Sequence, residues 1–158
     1  MRIGQGYDSH RFTEGDCVPI GGVSIPHDRG ILAHSDGDVL LHALTDALLG
    51  ALALGDIGQL YPDNDPQYAN MSSDKIVQHI MSLVVSAGYH VVNIDATVIA
   101  ERPKLSSYIT VIRERISQLV AQPISSVSVK ATTNEQMGWI GKREGLAAQV
   151  VVLLAQNI

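Results

Sequence analysis

The sequence predicts an α+β fold in which helices pack on one face of a sheet. Three observations lead there. Extended and helical patterns follow one another in the order βαα-β-α-β-β, with no internal repeat and no low-complexity segment. Only seven of the 158 residues are aromatic while 46% are hydrophobic, so Ala, Val, Leu and Ile must fill the core, which favours close-packed helices on a sheet. Several strand-like segments carry polar residues on one face, which either meets water in a monomer or lines the inside of an oligomer.

The elements follow in chain order. A short strand covers residues 2 to 8, and CVPIGGVSIP, residues 17 to 26, reads as two extended pieces about a Gly21-Gly22 turn. The first helix spans residues 36 to 54. Val39, Leu40, Ala43, Ala47 and Gly50 recur at helical spacing up to Gly55, Ser35 and Asp38 have the form of a capping box, and Asp36 and Asp38 suit the positive end of the helix dipole. The loop GDIGQLYPDNDPQYANMSS is long enough to be either functional or mobile. Ser72 or Ser73 caps a second amphipathic helix that buries Ile76, Val77, Ile80, Val84 and Ala87 and stops at Gly88. YHVVNIDATVIA alternates as a strand, with Val92, Ile94, Ala96 and Val98 on one face and Asn93, Asp95 and Thr97 on the other. After Pro103 a third helix carries Tyr108, Ile109, Ile112, Ile116, Leu119 and Val120, and the strands SVSVKATT and GLAAQVVVLLAQ complete the sheet.

The length suits one domain covering residues 1 to 158. A net charge of −5, with no run of Lys or Arg longer than two, argues against nucleic-acid binding. The lone Cys17 cannot pair within the chain, and the opening MRIGQGYD has neither a secretory apolar region nor an Arg-rich presequence, so a reducing cytoplasm is expected. The most apolar segment, VLLHALTDALLGALALG, is interrupted by His42, Thr45 and Asp46 and is too short for a bilayer, so no membrane partner is expected.

GYDSHRF places Asp8 and His10 two apart on a strand, hence on one face and within reach of one ion. His42 is the best third ligand, because an unpaired imidazole in an apolar helix is costly to bury. A D-x-H dipeptide arises by chance, and a single helix histidine is commonly a hydrogen-bonded core residue. Together they form two histidines and one carboxylate with an open position, the composition of a catalytic zinc site and also of a non-haem iron site. Asp38 and Asp46, four residues either side of His42, are each placed to accept its second ring N–H. His34 and Ser35 stand at the start of the same helix, where an anion would be favoured although Asp36 and Asp38 oppose it. Thr132, Thr133 and Glu135 end a strand with two hydroxyls and a carboxylate, able to hold phosphate oxygens and Mg²⁺ or to serve strand propensity alone.

GYDSHRF, LAHSDGDVLLHALTDALLGALALGDIG, YPDNDP, ERPKL and VKATTNEQMGW together give the chain a nearly full-length resemblance to the 2-C-methyl-D-erythritol 2,4-cyclodiphosphate synthase family of the non-mevalonate isoprenoid pathway. The resemblance implies a lyase that forms the cyclic diphosphate from 4-diphosphocytidyl-2-C-methyl-D-erythritol 2-phosphate and releases CMP. It implies Zn²⁺ on Asp8, His10 and His42, and Mg²⁺ or Mn²⁺ held by Glu135 and the substrate diphosphate. It implies a homotrimer whose sheets face a central axis, with sites between neighbouring subunits. By the same likeness, His34 and Ser35 with Asp56, Ile57 and Gly58 bind the methylerythritol phosphate, and Tyr61, Pro62, Asp63, Asn64 and Asp65 lie nearby. Ala100, Glu101, Arg102, Pro103, Lys104, Leu105 and Ser106 hold the cytidine with Thr132 and Thr133 of the adjacent subunit. Ser9 and Asn134 join the substrate contacts, and His34 and Thr133 stabilise the transition state.

Trp139 and Lys142 are implied to line an axial cavity that takes an isoprenoid diphosphate. Lys142 stands where the family often has Arg, and Arg143 where it often has Gly, and an ammonium does not reproduce the bidentate fork of a guanidinium. Ser106 replaces a larger apolar residue, and Trp139 a commoner Phe. Two other readings compete. An iron oxygenase would use the same triad, commonly on an all-β double-sheet barrel, and a trimeric, non-catalytic nucleotide-binding regulator would need no triad at all.

Overall fold

The computed structural model describes residues 1–62 and 71–157. Strands β1 (Arg2–Thr13), β2 (Cys17–Ile20), β3 (Val23–Pro26) and β4 (Gly30–Leu32) precede helices α1 (Val39–Leu52), α2 (Ile57–Leu60) and α3 (Ser73–Ser86). Then come β5 (Tyr89–Ile99), α4 (Ile109–Leu119), a 3₁₀ turn (Ile124–Ser126), β6 (Val127–Thr132), α5 (Gly138–Gly141) and β7 (Gly145–Gln156). Among the described residues five strands form one sheet in the order β4-β1-β7-β5-β6, in which only the β5–β6 pair is parallel. β2 and β3 form a separate hairpin whose turn, Gly21-Gly22, has φ of 63° and 76°, the left-handed pair that glycine reaches without a Cβ penalty. The expected α+β class is therefore observed, and three long helices beside one sheet set the chain apart from a double-sheet β barrel. Among the described residues no helix is long and apolar enough to cross a membrane.

The helices cover one face of the sheet. Gly4, Gly6 and Phe12 of β1, Val150, Val152 and Leu154 of β7, and Ile94, Ala96 and Val98 of β5 are buried against Leu40, Leu44, Leu48, Ile80, Val84, Ile112 and Ile116. α1 lies on β1 backbone to backbone. A Cβ built on Gly4 would stand 1.8 Å from the Ala47 carbonyl oxygen, and one on Gly6 would stand 1.9 Å from that of Ala43. Two glycines in alternate positions therefore let the helix sit on the strand itself, which brings His42 down to the strand end bearing Asp8 and His10. The other face of the sheet is open in the chain. It presents Ile3 and Tyr7, 72% and 53% exposed, together with Gln149, Val151, Asp95, Ser128 and Lys130.

Several boundaries differ from the sequence expectation. β1 does not stop at residue 8 but runs to Thr13, because ten of its residues are paired to β7. The first helix starts at Val39 and ends at Leu52, inside the expected 36 to 54. Gly37 at φ 74° cannot continue a helix, and the N-cap is Asp38, whose carboxylate accepts from the Leu40 and Leu41 N–H at 3.1 and 2.9 Å. The same carboxylate accepts from Gly21 and Gly22 at 2.9 and 2.7 Å, fastening the hairpin to the helix, so Ser35 plays no capping part. At the other end Ala53, at φ 58°, forms the left-handed C-cap. In β5 a bulge between Val91 and Asn93 turns Val92 out of the buried face to which it was assigned and brings Val91 in. Ala87 is exposed rather than buried, since it lies past the last turn of α3 as its C-cap.

Candidate metal centre

Asp8 and His10 project from the helix side of β1, one residue apart in the alternation, and His42 projects toward them from the first turns of α1. Asp8 Oδ2 lies 2.9 Å from His10 Nε2 and 3.1 Å from His42 Nδ1, and the two ring nitrogens are 3.1 Å apart. Three donor atoms form a nearly equilateral triangle. Tetrahedral zinc with bonds of about 2.0–2.1 Å has ligand atoms roughly 3.3 Å apart, so the triangle fits one face of the tetrahedron and leaves the fourth position free. No other group of this kind occurs among the described residues. His42 is 8% exposed, and the Asp8 side chain is 27% exposed, so the triangle is largely shielded yet still reached by solvent on the Asp8 side.

The electrostatics favour a cation. Burial works to raise Asp8, but the hydrogen bonds and charge of His10 and His42 outweigh it and carry its pKa down to about 2. Burial works to lower His42, yet Asp8 reverses it, and its pKa is raised overall. A carboxylate held ionised beside two imidazoles is a donor set that takes either protons or a metal.

The second nitrogen of His42 does not reach the carboxylates expected to hold it. Asp38 spends its oxygens on backbone N–H groups, and Asp46 accepts from Ile57 N–H at 2.7 Å, tying α2 to α1. Burial and the nearby Asp56 and Asp8 charges raise Asp46. Instead, His42 Nε2 lies 2.9 Å from Ser73 Oγ and 3.3 Å from Ser35 Oγ. Ser35, expected near the phosphate, thus stands beside the triad. Ser73, which is fully buried, and Asp36, which accepts from both its hydroxyl and its N–H, were missed as site residues. Nothing local marks them, since Ser73 is 31 positions from His42 and reads as an ordinary helix cap.

The remaining site residues fall into separate groups. His34 is exposed on the loop leading to α1, and Asp56 caps α2 by accepting from Gln59 N–H at 2.9 Å, with Ile57 and Gly58 following. Tyr61 contacts His79 edge to face and Pro62 follows it, whereas Asp63, Asn64 and Asp65 lie outside the described residues. Glu101, in the segment Ala100 to Ser106, accepts from the N–H groups of Asn134 and Gln136 at 3.0 and 3.1 Å. It thereby fixes the turn carrying Thr133 and Glu135, where Glu135 and Gln136 adopt φ of 52° and 61°. Thr132 belongs to β6, which β7 and β5 separate from β1, about 14 Å at the usual strand spacing. Its register opposite Ile99 places it on the open face, opposite to the face bearing Asp8. The triad and Thr132 therefore do not meet within one chain. Trp139 shares a cavity of about 290 Å³ with Ser9, His10, Arg11 and Glu144, where Ser9 and Arg11 alternate to the side of β1 opposite the Asp8 and His10 side chains, and Lys142 is exposed beyond α5.

The model of the YgbB family matches residues 1–155. The 2-C-methyl-D-erythritol 2,4-cyclodiphosphate synthase of Ectopseudomonas mendocina is 54% identical over 156 residues, 99% of each chain. Among solved structures, a 2C-methyl-D-erythritol-2,4-cyclodiphosphate synthase in its CDP-bound form superposes with a TM-score of 0.90 at 38% identity, covering 98% of this chain and all of the other. An IspF of Plasmodium falciparum in complex with CDP gives 0.88 at 34% identity, covering 99% and 97%.

Proposed function

The chain belongs to the YgbB family, and on that premise we propose that it converts 4-diphosphocytidyl-2-C-methyl-D-erythritol 2-phosphate to 2-C-methyl-D-erythritol 2,4-cyclodiphosphate with release of CMP. The observation that carries this is the Asp8–His10–His42 triangle, an open three-ligand metal face, in a chain matching such synthases end to end. It is an intramolecular phosphoryl transfer and so a lyase reaction: a phosphate oxygen attacks the β-phosphorus and the bond to CMP breaks. The non-catalytic regulator gains nothing from these likenesses.

The nucleophile is already anionic, so the task is to bring two anions into line rather than to remove a proton. Zn²⁺ on Asp8, His10 and His42 would polarise the attacking phosphate and the β-phosphate, and Mg²⁺ or Mn²⁺ beside Glu135 would neutralise charge passing to CMP. His34, exposed on the loop leading to α1, and the Thr133 hydroxyl supply hydrogen bonds to the transferring phosphoryl group. Ser9, Ser35 and Asp56 to Gly58 seat the methylerythritol phosphate, with Tyr61 to Asp65 alongside. Ala100 to Ser106, Thr132 and Asn134 seat the cytidine. Two solved structures similar to this chain, at 34% and 38% identity, are CDP complexes, which supports a cytidine nucleotide as the ligand here.

The assembly we propose is a homotrimer of single-domain chains working in the cytoplasm. The open sheet face, with Ile3, Tyr7 and Val151 exposed among polar neighbours, supports self-association, and so does the separation of Thr132 from the triad by two strands and one sheet face. A neighbouring subunit is the natural source of the missing half. Trp139 and Lys142 would then border an axial cavity able to take an isoprenoid diphosphate. Phosphorus NMR of the diphosphocytidyl substrate incubated with protein, Zn²⁺ and Mg²⁺ tests the activity. Resonances of a cyclic diphosphate and CMP are expected, and intact substrate would refute it.

A further inference from the structure

We propose that Ser73 and Asp36 are positioning residues that hold the His42 ring as its Nε2–H tautomer and so turn the Nδ1 lone pair to the metal; naming that ion rests on the function proposed above, but the tautomer does not. Ser73 is the first residue of α3 and is wholly buried, although first-turn serines of surface helices usually face water. Its hydroxyl lies between two partners, His42 Nε2 at 2.9 Å and Asp36 Oδ1. A hydroxyl has one proton to give, and an ionised carboxylate can only accept. The Ser73 proton therefore goes to Asp36, and its oxygen is left to accept from His42.

Asp36 is fixed in that part from three sides. Besides the hydroxyl, it accepts from the Ser73 N–H at 2.8 Å and from the Asp38 N–H at 3.2 Å. It caps α3 from outside, since Ser72, the N-cap by backbone, makes no side-chain cap bond. Ser35 Oγ, 3.3 Å from the same ring nitrogen, takes a 3.2 Å bond from Gly37 N–H and offers a second, weaker acceptor. With Nε2 as a donor, a neutral ring keeps its lone pair on Nδ1, the atom 3.1 Å from both Asp8 Oδ2 and His10 Nε2. An outer partner that fixes a ligand's tautomer commonly changes metal affinity by about 10–100-fold when removed.

The test uses metal-free full-length protein at a pH where the imidazoles are neutral, with the His42 tautomer read from long-range ¹H–¹⁵N correlations and zinc affinity from competition with a chromophoric chelator. The parent should show Nε2–H. Ser73→Ala should give a tautomer mixture and roughly 10–100-fold weaker zinc, Ser73→Thr should restore both, and Ser72→Ala should change neither. Asp36→Asn, on an exposed residue, supplies a second variant should Ser73→Ala fail to fold, and it should weaken zinc in the same direction. An unchanged tautomer with parental zinc affinity in Ser73→Ala, or in Asp36→Asn, overturns the proposal. A parent that fixes the tautomer through Ser73 yet binds no zinc would uphold the relay while refuting the metal reading.

Discussion

Replacing Gly6 by alanine tests whether the metal centre depends on direct contact between α1 and β1. A Cβ there would lie 1.9 Å from the Ala43 carbonyl oxygen and 2.8 Å from the Ala47 nitrogen, and Cβ contacts below 3.0 Å essentially do not occur. The helix and strand must therefore part by at least 1.1 Å, the difference between the two distances. Both neighbours are backbone, so no rotamer change can absorb the shift. Overpacking usually costs about 1–3 kcal/mol, and with the whole interface displaced about 3–5 kcal/mol is expected. The opening is applied at Ala43, next to His42, while metal–ligand distances tolerate only about 0.2 Å, so zinc should bind at least 100-fold more weakly. Gly50→Ala is the control. Its Cβ would meet only the Gln5 oxygen, at 3.8 Å, on an exposed helical residue, so it should stabilise by up to about 1 kcal/mol. Urea unfolding and chelator competition on both variants decide the matter. Gly6→Ala with parental stability and zinc affinity would refute the account of how α1 delivers His42.

Asp8 predicts a pH dependence of the metal-free protein. Its folded pKa of about 2 lies below the unfolded 3.8, so its contribution is complete above the unfolded value and is lost as pH falls from about 4 to about 2. After allowance for partial exposure it amounts to at most about 2 kcal/mol, and urea midpoints measured across that range should fall more steeply in the parent than in Asp8→Asn. Glu135→Gln should purify with normal zinc but need far more Mg²⁺, because a neutral amide offers an oxygen without the charge Mg²⁺ prefers. Loss of zinc with an unchanged Mg²⁺ requirement would assign Glu135 to the triad site instead. Mixing inactive Asp8→Ala chains with inactive Thr133→Ala chains should recover part of the activity if each site draws on two subunits. Mixed trimers verified by mass spectrometry but wholly inactive would place the site within one chain.

The triad was legible in the sequence because each half obeys a local period. Two residues along a strand bring Asp8 and His10 to one face, and an imidazole in an apolar helix asks for a partner. The strand GLAAQVVVLLAQ was legible to the residue, since its run of apolar side chains ends at glycine on one side and polar residues on the other. Failures came where a side chain some distance along the chain outweighed a local rule. Ser35 and Asp38 have the spacing of a capping box, but Asp38 gains two more N–H donors from the Gly21-Gly22 turn, a contact no local pattern contains. The bulge at Val92 escaped notice because strict alternation was the better fit to the letters, while the register of β5 is imposed by β7.

Competition for carboxylate oxygens keeps Asp38 and Asp46 from supporting His42. Helical spacing correctly places Asp38 and Asp46 one turn from His42, but spacing on one helix says nothing about competition for their oxygens. Each is claimed by backbone donors, Asp38 by four and Asp46 by Ile57, and the ring N–H, which has hydroxyls within reach, does not displace backbone amides from them. The ring nitrogen must then take a hydroxyl that tertiary packing supplies, and α3 delivers Ser73 because Asp36 caps its first N–H. The nitrogen facing the triad follows from that choice: with Nε2 committed to Ser73, only Nδ1 remains to meet Asp8 and His10. The triad's geometry is thus set as much by where α3 begins as by the strand and helix that carry the ligands.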